Sequence, residues 1–229
     1  IGVRLVGSEM CIRDRERVSA GMRVAINLGG VEKKELMRGC TIAKPYSMQL
    51  TYRIAASIQL TKDSPYSVKN ASLVHFYQGT QELVGRVRLL SCNVLKPGQK
   101  GYALIMFEEK LTARNLDKFI IRFFSPMTTI GGGVILDMES PRLKRNDPAV
   151  LERLDRLSGR PLARIMQMID DAGCTLIKEN ELANVSGLSA SEVRAAVKEL
   201  TQSGKVVNIS GGLLSLIHIS EPTRRTPIS

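Results

Sequence analysis

Six short runs of apolar or alternating residues lie between Met48 and Leu136, with turn signals between them and almost no helical pattern. The first is the clearest. Met48, Leu50, Tyr52, Ile54, Ala56, Ile58 and Leu60 alternate with polar or small residues, the period of a half-buried strand. Leu73 to Tyr77, Leu83 to Leu90, Gly101 to Phe107, Phe119 to Phe124 and Ile130 to Leu136 follow. Asp63-Ser64-Pro65, Pro97-Gly98-Gln99 and Asn115 to Asp117 read as turns. Strands of this length and spacing predict a closed six-stranded antiparallel barrel. Closure removes the edges that a small open sheet would expose.

The last two runs form one stretch, FIIRFFSPMTTIGGGVILD, from Phe119 to Asp137. Its first half carries a lone cation, Arg122, and its second half the triplet Gly131, Gly132 and Gly133. Glycines inside a strand weaken it, so the triplet needs a physical reason. Either the chain bends or packs tightly at a barrel corner, or a bare backbone edge beside Arg122 meets a phosphate chain. On the earlier run Leu83 to Leu90, Arg86 and Arg88 share one strand face, with Val87 and Leu89 on the other.

The flanks read differently. Met22 to Leu28 is a strand pattern between Gly21 and Gly29-Gly30, and Cys40 to Ala43 is a second, ended by Pro45. Two strands cannot cover both of their own faces, so residues 15–45 predict the C-terminal part of another barrel. After the basic linker PRLKR (Pro141 to Arg145), Asp147 caps a helix that has Pro148 at its first position. Val150, Leu151, Leu154 and Leu157 make its apolar stripe, and Gly159 stops it. A second helix runs from Pro161 to Gly173, with Leu162, Ile165, Met166 and Ile169 inward. A short one spans Asn180 to Val185. Ser189 and Glu192 form a capping box for a helix with Val193, Val197 and Leu200 inward. Lys205 to Ile209 and Gly212 to Leu213 close the segment as a wing hairpin. The expected fold class is therefore mainly β with a C-terminal α/β part: a partial barrel, a complete barrel, and a winged helix-turn-helix domain. On its exposed face the last helix offers Glu192, Arg194, Lys198 and Glu199. That set is poor in the side chains that read base edges.

The chain carries a formal net charge of +11, which suits an RNA partner. Cys40, Cys92 and Cys174 are far apart, without ligand spacing, and read as reduced, buried structural thiols of a cytoplasmic protein. Between residues 15 and 213 His75 is the sole histidine, so no catalytic or metal-ligating residue is expected. No G-x-x-x-x-G-K-[ST] phosphate loop occurs, and no apolar run is long enough for a membrane span. The two ends can be one DNA element read on opposite strands. One element encodes LVGSEMCIRD (residues 5–14) on one strand and LSLIHISEPTR (residues 214–224) on the other. It looks like a transposase-type sequencing adapter, so residues 1–14 and 214–229 are expected to be non-native and to pack on no domain.

Three phrases carry a family resemblance. FIIRFFSPMTTIGGGVILD and HFYQGTQELVGRVRLL (His75 to Leu90) resemble bacterial selenocysteine-specific translation elongation factors, which are tRNA-delivering GTPases, and GMRVAINLGG followed by KKELMRGCTIAKP is similar to the end of domain II in translational GTPases. The likeness covers nearly all of residues 16–213. It implies that residues 15–45 end domain II and that 46–140 are domain III, a barrel of the tRNA-binding type. Residues 141–213 would be the first winged-helix domain of domain IV. Carried over by position, it implies that His75, Gly79, Thr80, Arg122, Thr129, Gly131 and Gly132 face the tRNA, and Arg23 its aminoacyl end. A cation there would favour an ionised selenol over a serine hydroxyl. For His75 and Arg23 the residues alone leave open a strand-edge histidine and an exposed arginine. The partners implied are selenocysteinyl-tRNA, the ribosome, and a selenoprotein mRNA hairpin held through further C-terminal winged helices; no membrane is involved and the protein is a monomer. GTP and Mg belong to an N-terminal domain, and these residues would have no cofactor and no GTPase activity. Two other classes stay open: another translational GTPase, or a winged-helix nucleic-acid-binding regulator with a β-barrel domain. Neither explains the barrel, the glycine stretch and the helices together.

Overall fold

The computed structural model describes residues 3–6, 19, 21–22, 25–36, 38–43, 48–138, 143–173, 177–209 and 213–216. Ile1–Cys40 and Thr41–Ser229 are two compact units. In the first, β1 (Val3–Val6) pairs antiparallel with β2 (Ala25–Leu28), Val3 opposite Leu28, and a 3-10 turn follows at Lys33–Glu35. Cys40 to Ala43 are irregular rather than a strand, and Cys40 is exposed. The thiol there is thus not the buried one expected. Cys92 is half-buried, and Cys174 lies outside the described residues.

The second unit begins with the barrel. Its strands are β3 (Gln49–Leu60), β5 (Leu73–Gln78), β6 (Gln81–Leu89), β8 (Lys100–Ala113), β9 (Lys118–Phe123) and β10 (Thr129–Asp137). They close in the order β10-β3-β8-β6-β5-β9, and each neighbouring pair is antiparallel. These are the six expected strands, with β8 reaching six residues further than its apolar run. The extension holds Glu108, Glu109 and Lys110, all exposed. Between Thr51 and Arg53 the β3–β8 register shifts, so this charged run bulges away from β3. A small two-stranded clasp, β4 (Val68–Lys69) with β7 (Val94–Leu95), lies outside the barrel order.

Alternation sorts the side chains. Ile54, Ala56, Ile58, Phe76, Val87, Ile105 and Ile121 are fully buried in the barrel interior. Phe76 packs edge-on to Phe107, with ring centroids 4.9 Å apart, and tilts against Phe119 at 4.7 Å. Edge-to-face aromatic pairs of this kind favour one arrangement of the core over others.

The helices follow: α1 (Pro148–Ser158), α2 (Pro161–Ala172), α3 (Glu179–Ser186) and α4 (Ala190–Gln202). Asp147 accepts from the Ala149 amide at 3.1 Å, and Ser189 with Glu192 completes the capping box of α4. Gly187 ends α3 in the left-handed conformation that glycine adopts without cost. Strands β11 (Ile177–Lys178), β12 (Val206–Ile209) and β13 (Leu213–Leu216) form a sheet in the order β11-β13-β12. Ile165, Ile169, Leu182, Val193, Val197, Leu200, Val206 and Leu214 make its core with the helices.

Both ends therefore depart from expectation where they are described. Val3–Val6 pairs with β2, and Leu214 is buried while Leu213–Leu216 pairs with β11 and β12. The run LSL supplies the period-two alternation a strand needs, and packing is indifferent to where that alternation came from. Most other residues of the two ends, Ile12 included, lie outside the described set.

Helices and barrel meet over a second apolar cluster. Ala55, Leu90, Leu104 and Leu136 on the outer wall of the barrel pack on Leu143, Leu154 and Leu157. The basic linker takes part: Arg145 donates to the carbonyl oxygens of Leu89 at 2.9 Å and Cys92 at 3.3 Å. Among the described residues no helix is long and apolar enough to cross a membrane.

The glycine triplet has a packing reason. A Cβ at Gly131 would meet the Gln59 carbonyl oxygen at 2.3 Å, one at Gly132 the Phe119 oxygen at 2.5 Å, and one at Gly133 the Ser57 oxygen at 2.1 Å. All three contacts are with backbone, which cannot step aside. Gly133→Ala is expected to destabilise the barrel by about 1–3 kcal/mol, the usual cost of overpacking. A urea melt followed by circular dichroism reads this as a lower midpoint; an unchanged midpoint would contradict so close an approach of β10 to β3.

Candidate nucleic-acid interface

Strand register brings three of the expected residues into one row. His75 on β5 lies opposite Arg122 on β9, and Arg122 opposite Thr129 on β10. Val74, Phe76 and Ile121 point into the core, so alternation turns His75, Tyr77, Ile120 and Arg122 outward. Phe124 stacks on His75, with ring centroids 5.3 Å apart and planes at 11°.

Arg122 is held but not saturated. Its Nη2 donates to the Met127 carbonyl at 2.9 Å, and its guanidinium lies 6.0 Å from the Tyr77 ring centroid. Its Nε is buried without a hydrogen-bond partner. A guanidinium has five N–H donors, and the Met127 carbonyl takes one of them. Tyr77 donates its hydroxyl to Glu82 Oε1 at 2.6 Å. His75 Nδ1 is 3.4 Å from the same oxygen, close enough for an ion pair when protonated but not aligned as a hydrogen bond.

Gly79 and Thr80 stand apart from this row. They are the exposed two-residue turn between β5 and β6, bounded by the Gln78–Gln81 pair. Gly79 has φ +55°, as the first position of a type II′ hairpin turn requires. The tip is tied toward β8 and β9: Gln78 donates to Asp117 at 2.9 Å, and Gln81 accepts from the Thr112 amide at 3.0 Å.

Gly131 and Gly132 offer no bare backbone edge, because β10 pairs with β3 on one side and β9 on the other. Gly131 is buried, and what Gly132 offers is shape. A groove of about 580 Å³ runs over Gly132 and Gly133, walled by Gln59, Ile120 and Val134, with Lys62 and Lys118 also lining it. Ile120 is 53% exposed beside it. Neither lysine stands out in the sequence. Lys62 follows β3 and Lys118 opens β9, and only barrel closure puts them on one groove. Arg86 is exposed and Arg88 half-buried on the outer face of β6, as the alternation implies. Arg23 lies outside the described residues. Among those described, no group of His, Cys, Asp or Glu is arranged to hold a metal.

The Tyr77 phenol is held above its ordinary pKa, first by its bond to Glu82 and then by burial, with Arg122 opposing. Its contribution to stability is present below the ordinary value of 10.0 and is lost as pH rises through the raised one. Glu82→Gln removes the carboxylate charge and should bring the Tyr77 titration midpoint down toward that ordinary value. Site-resolved ring-carbon chemical shifts in a pH series give the measurement; an unmoved midpoint would detach Tyr77 from Glu82.

Comparison with known proteins matches residues 53–142 to the family described as "Selenocysteine-specific elongation factor, beta-barrel domain". Over 200 residues, 86% of this chain, the sequence is 28% identical to the selenocysteine-specific elongation factor of Desulfomicrobium baculatum. It is 25% identical over 148 residues, 62% of this chain, to that of Escherichia coli (strain K12). These alignments cover 30% and 22% of the two relatives, so the chain spans under a third of their length. Among solved structures, the crystal structure of bacterial selenocysteine-specific elongation factor EF-Sec superposes with TM-score 0.65. That superposition has 21% identity and covers 87% of this chain and 30% of the other, which speaks for the fold. Residues 53–142 thus match the β-barrel domain of selenocysteine-specific elongation factors, and the chain is similar to such factors over most of its length.

Proposed function

We propose that the outer face of β5, β9 and β10 holds the arm of a selenocysteine-carrying tRNA. The observation that carries this is the row His75–Arg122–Thr129, with a lysine-lined groove next to it. Lysine and arginine supply the charge that neutralises phosphates. The stacked His75–Phe124 pair and Tyr77 supply flat faces. Gly132 and Gly133 contribute a surface without side chains, so a sugar–phosphate strand can lie close, while Gly131 is buried beneath it. Gly79 and Thr80, at the tip of the β5–β6 hairpin, would meet the RNA apart from that row.

In this proposal the chain is part of a cytoplasmic factor that delivers selenocysteinyl-tRNA to the ribosome. Residues 15–45 belong to domain II, with Arg23 toward the aminoacyl end, residues 46–140 are domain III, and 141–213 are a winged-helix domain. That last domain acts as a spacer toward further winged helices that hold a selenoprotein mRNA hairpin. A DNA-reading role for α4 is disfavoured because Arg194, one of its few cations, is committed to Glu179 at 3.3 Å. With no phosphate loop in this sequence, GTP and Mg fall to another part of the factor. Saturable GTP binding by this chain in equilibrium dialysis would overturn that part.

The interface is tested by Arg122→Ala. Removing one phosphate contact should weaken tRNA binding and reduce the slope of log K against log salt by about one unit. The loss should appear with selenocysteine tRNA and, more weakly, with other tRNAs, because an A-form stem is read by shape and backbone. A folded Arg122→Ala protein with unchanged binding across a salt series removes this face from the site.

A further inference from the structure

We infer that Arg164 is a positioning residue that fixes the helical module on the barrel, so that the two move as one body. The claim concerns orientation and holds with or without bound RNA. Its consequence for function rests on the RNA-holding proposal above.

Arg164 sits on α2 and is 1% exposed. Its guanidinium makes hydrogen bonds to three backbone carbonyls from three different elements. Nε donates to Ser186 at 3.0 Å, Nη2 to Leu136 at 3.0 Å, and Nη1 to Leu157. Leu157 and Ser186 lie in the last turns of α1 and α3. Carbonyls there have no partner within their own helix and carry the negative end of its dipole. Leu136 is the residue skipped in the β10–β3 register, where Ile135 pairs with Ala56 and Asp137 with Ala55. A bulge releases a strand carbonyl from the ladder. Two helix ends and one bulge thus present three unclaimed acceptors, and one planar fork takes all of them.

The remaining contacts agree. Arg153 on α1 pairs with Asp137 of β10 at 2.8 Å and with Asp171 of α2 at 2.7 Å. Burial opposes its charge, but the bonds to Asp171 and Asp137 outweigh burial and hold its pKa above the ordinary value. Asn115, in the β8–β9 loop, donates to the Val185 carbonyl at 2.8 Å. Gly187 packs so tightly there that a Cβ would meet the Asn115 oxygen at 2.0 Å. Tyr102 of β8 donates to Asp155 of α1 at 2.9 Å. In the linker, the Asn146 amide donates to Leu90. Burial lowers the pKa of Arg164 to about 10, partly offset by Asp137, so the guanidinium stays charged at neutral pH.

If the two parts are one body, RNA on the barrel face and any nucleic acid beyond α4 are held at a fixed offset. The offset is then built into this junction rather than found by diffusion of a flexible tail.

Residual dipolar couplings of backbone amides, measured on the whole chain without RNA, test the inference. In the native protein, couplings from β3–β10 and from α1–α4 should fit one alignment tensor. In Arg164→Met, which fills space but cannot donate, they should need two, with the helical tensor reduced severalfold. Arg160→Met, at an exposed position, should keep one. If Arg164→Met loses its helical shifts, Arg164→Lys is read instead: an ammonium cannot span three carbonyls in a plane, so two tensors are again expected. Two tensors in the native protein, one tensor in a folded Arg164→Met, or loss of the helices in both variants would each overturn the inference. None of these outcomes bears on tRNA affinity, which the Arg122 salt series reads separately.

Discussion

Closing six strands into a narrow barrel forces backbones together somewhere, and here the pinch lies along β10. Gly131, Gly132 and Gly133 place their α-carbons where the Gln59, Phe119 and Ser57 carbonyls leave no room for a side chain. Everything downstream leans on that contact. It lets β10 pair with β3 and β9 at once, which closes the barrel and leaves no edge to protect. It also fixes the register that sets Thr129 opposite Arg122, and through β9 sets Arg122 opposite His75.

The same pinch makes the surface. Where a strand has no side chains its outer face is recessed, and the neighbours Gln59, Ile120 and Val134 become walls. A packing requirement inside the barrel and a groove outside it are two effects of one substitution pattern. The two readings of the glycines, tight corner or phosphate surface, are therefore not exclusive. The corner explains why the glycines are there, and the groove is what their presence leaves. Arg122 follows a similar logic, since its Nη2 ties the strand to the Met127 carbonyl in the β9–β10 loop.

How much of this was legible in the sequence depends on the kind of signal. Barrel strands announce themselves because alternation is a local property, and all six appear where the period placed them. β8 runs long because Glu108, Glu109 and Lys110 interrupt the apolar pattern but not the backbone. The clasp of β4 and β7, two residues each, is too short to show any period. Helix caps at Asp147 and Ser189 are likewise local chemistry and were readable. Lys62 and Lys118 were not, since their shared groove exists only after closure. Arg145 reads as part of a solvated basic linker, yet its donors are spent on the barrel.

Arg164 shows why such residues escape. Along α2 it belongs with Gln167 and Asp171 to a polar stripe at helical spacing, beside the apolar stripe of Leu162, Ile165 and Ile169. Taken alone, a helix like this has one wet face and one dry face. In the folded chain both faces are covered, the apolar one by α4 and the sheet, the polar one by α1 and the barrel. The polar stripe is tolerated inside because each member finds a partner: Arg164 three carbonyls, Gln167 the side chains of Arg156 and Asp171, Asp171 the guanidinium of Arg153. Satisfied polar groups at a junction are directional in a way that apolar contact is not. Leu136 and Leu157 could slide over one another at small cost, whereas a guanidinium shared by three fixed carbonyls defines a single arrangement. The apolar cluster brings barrel and helices together, and the hydrogen-bonded fork sets their angle.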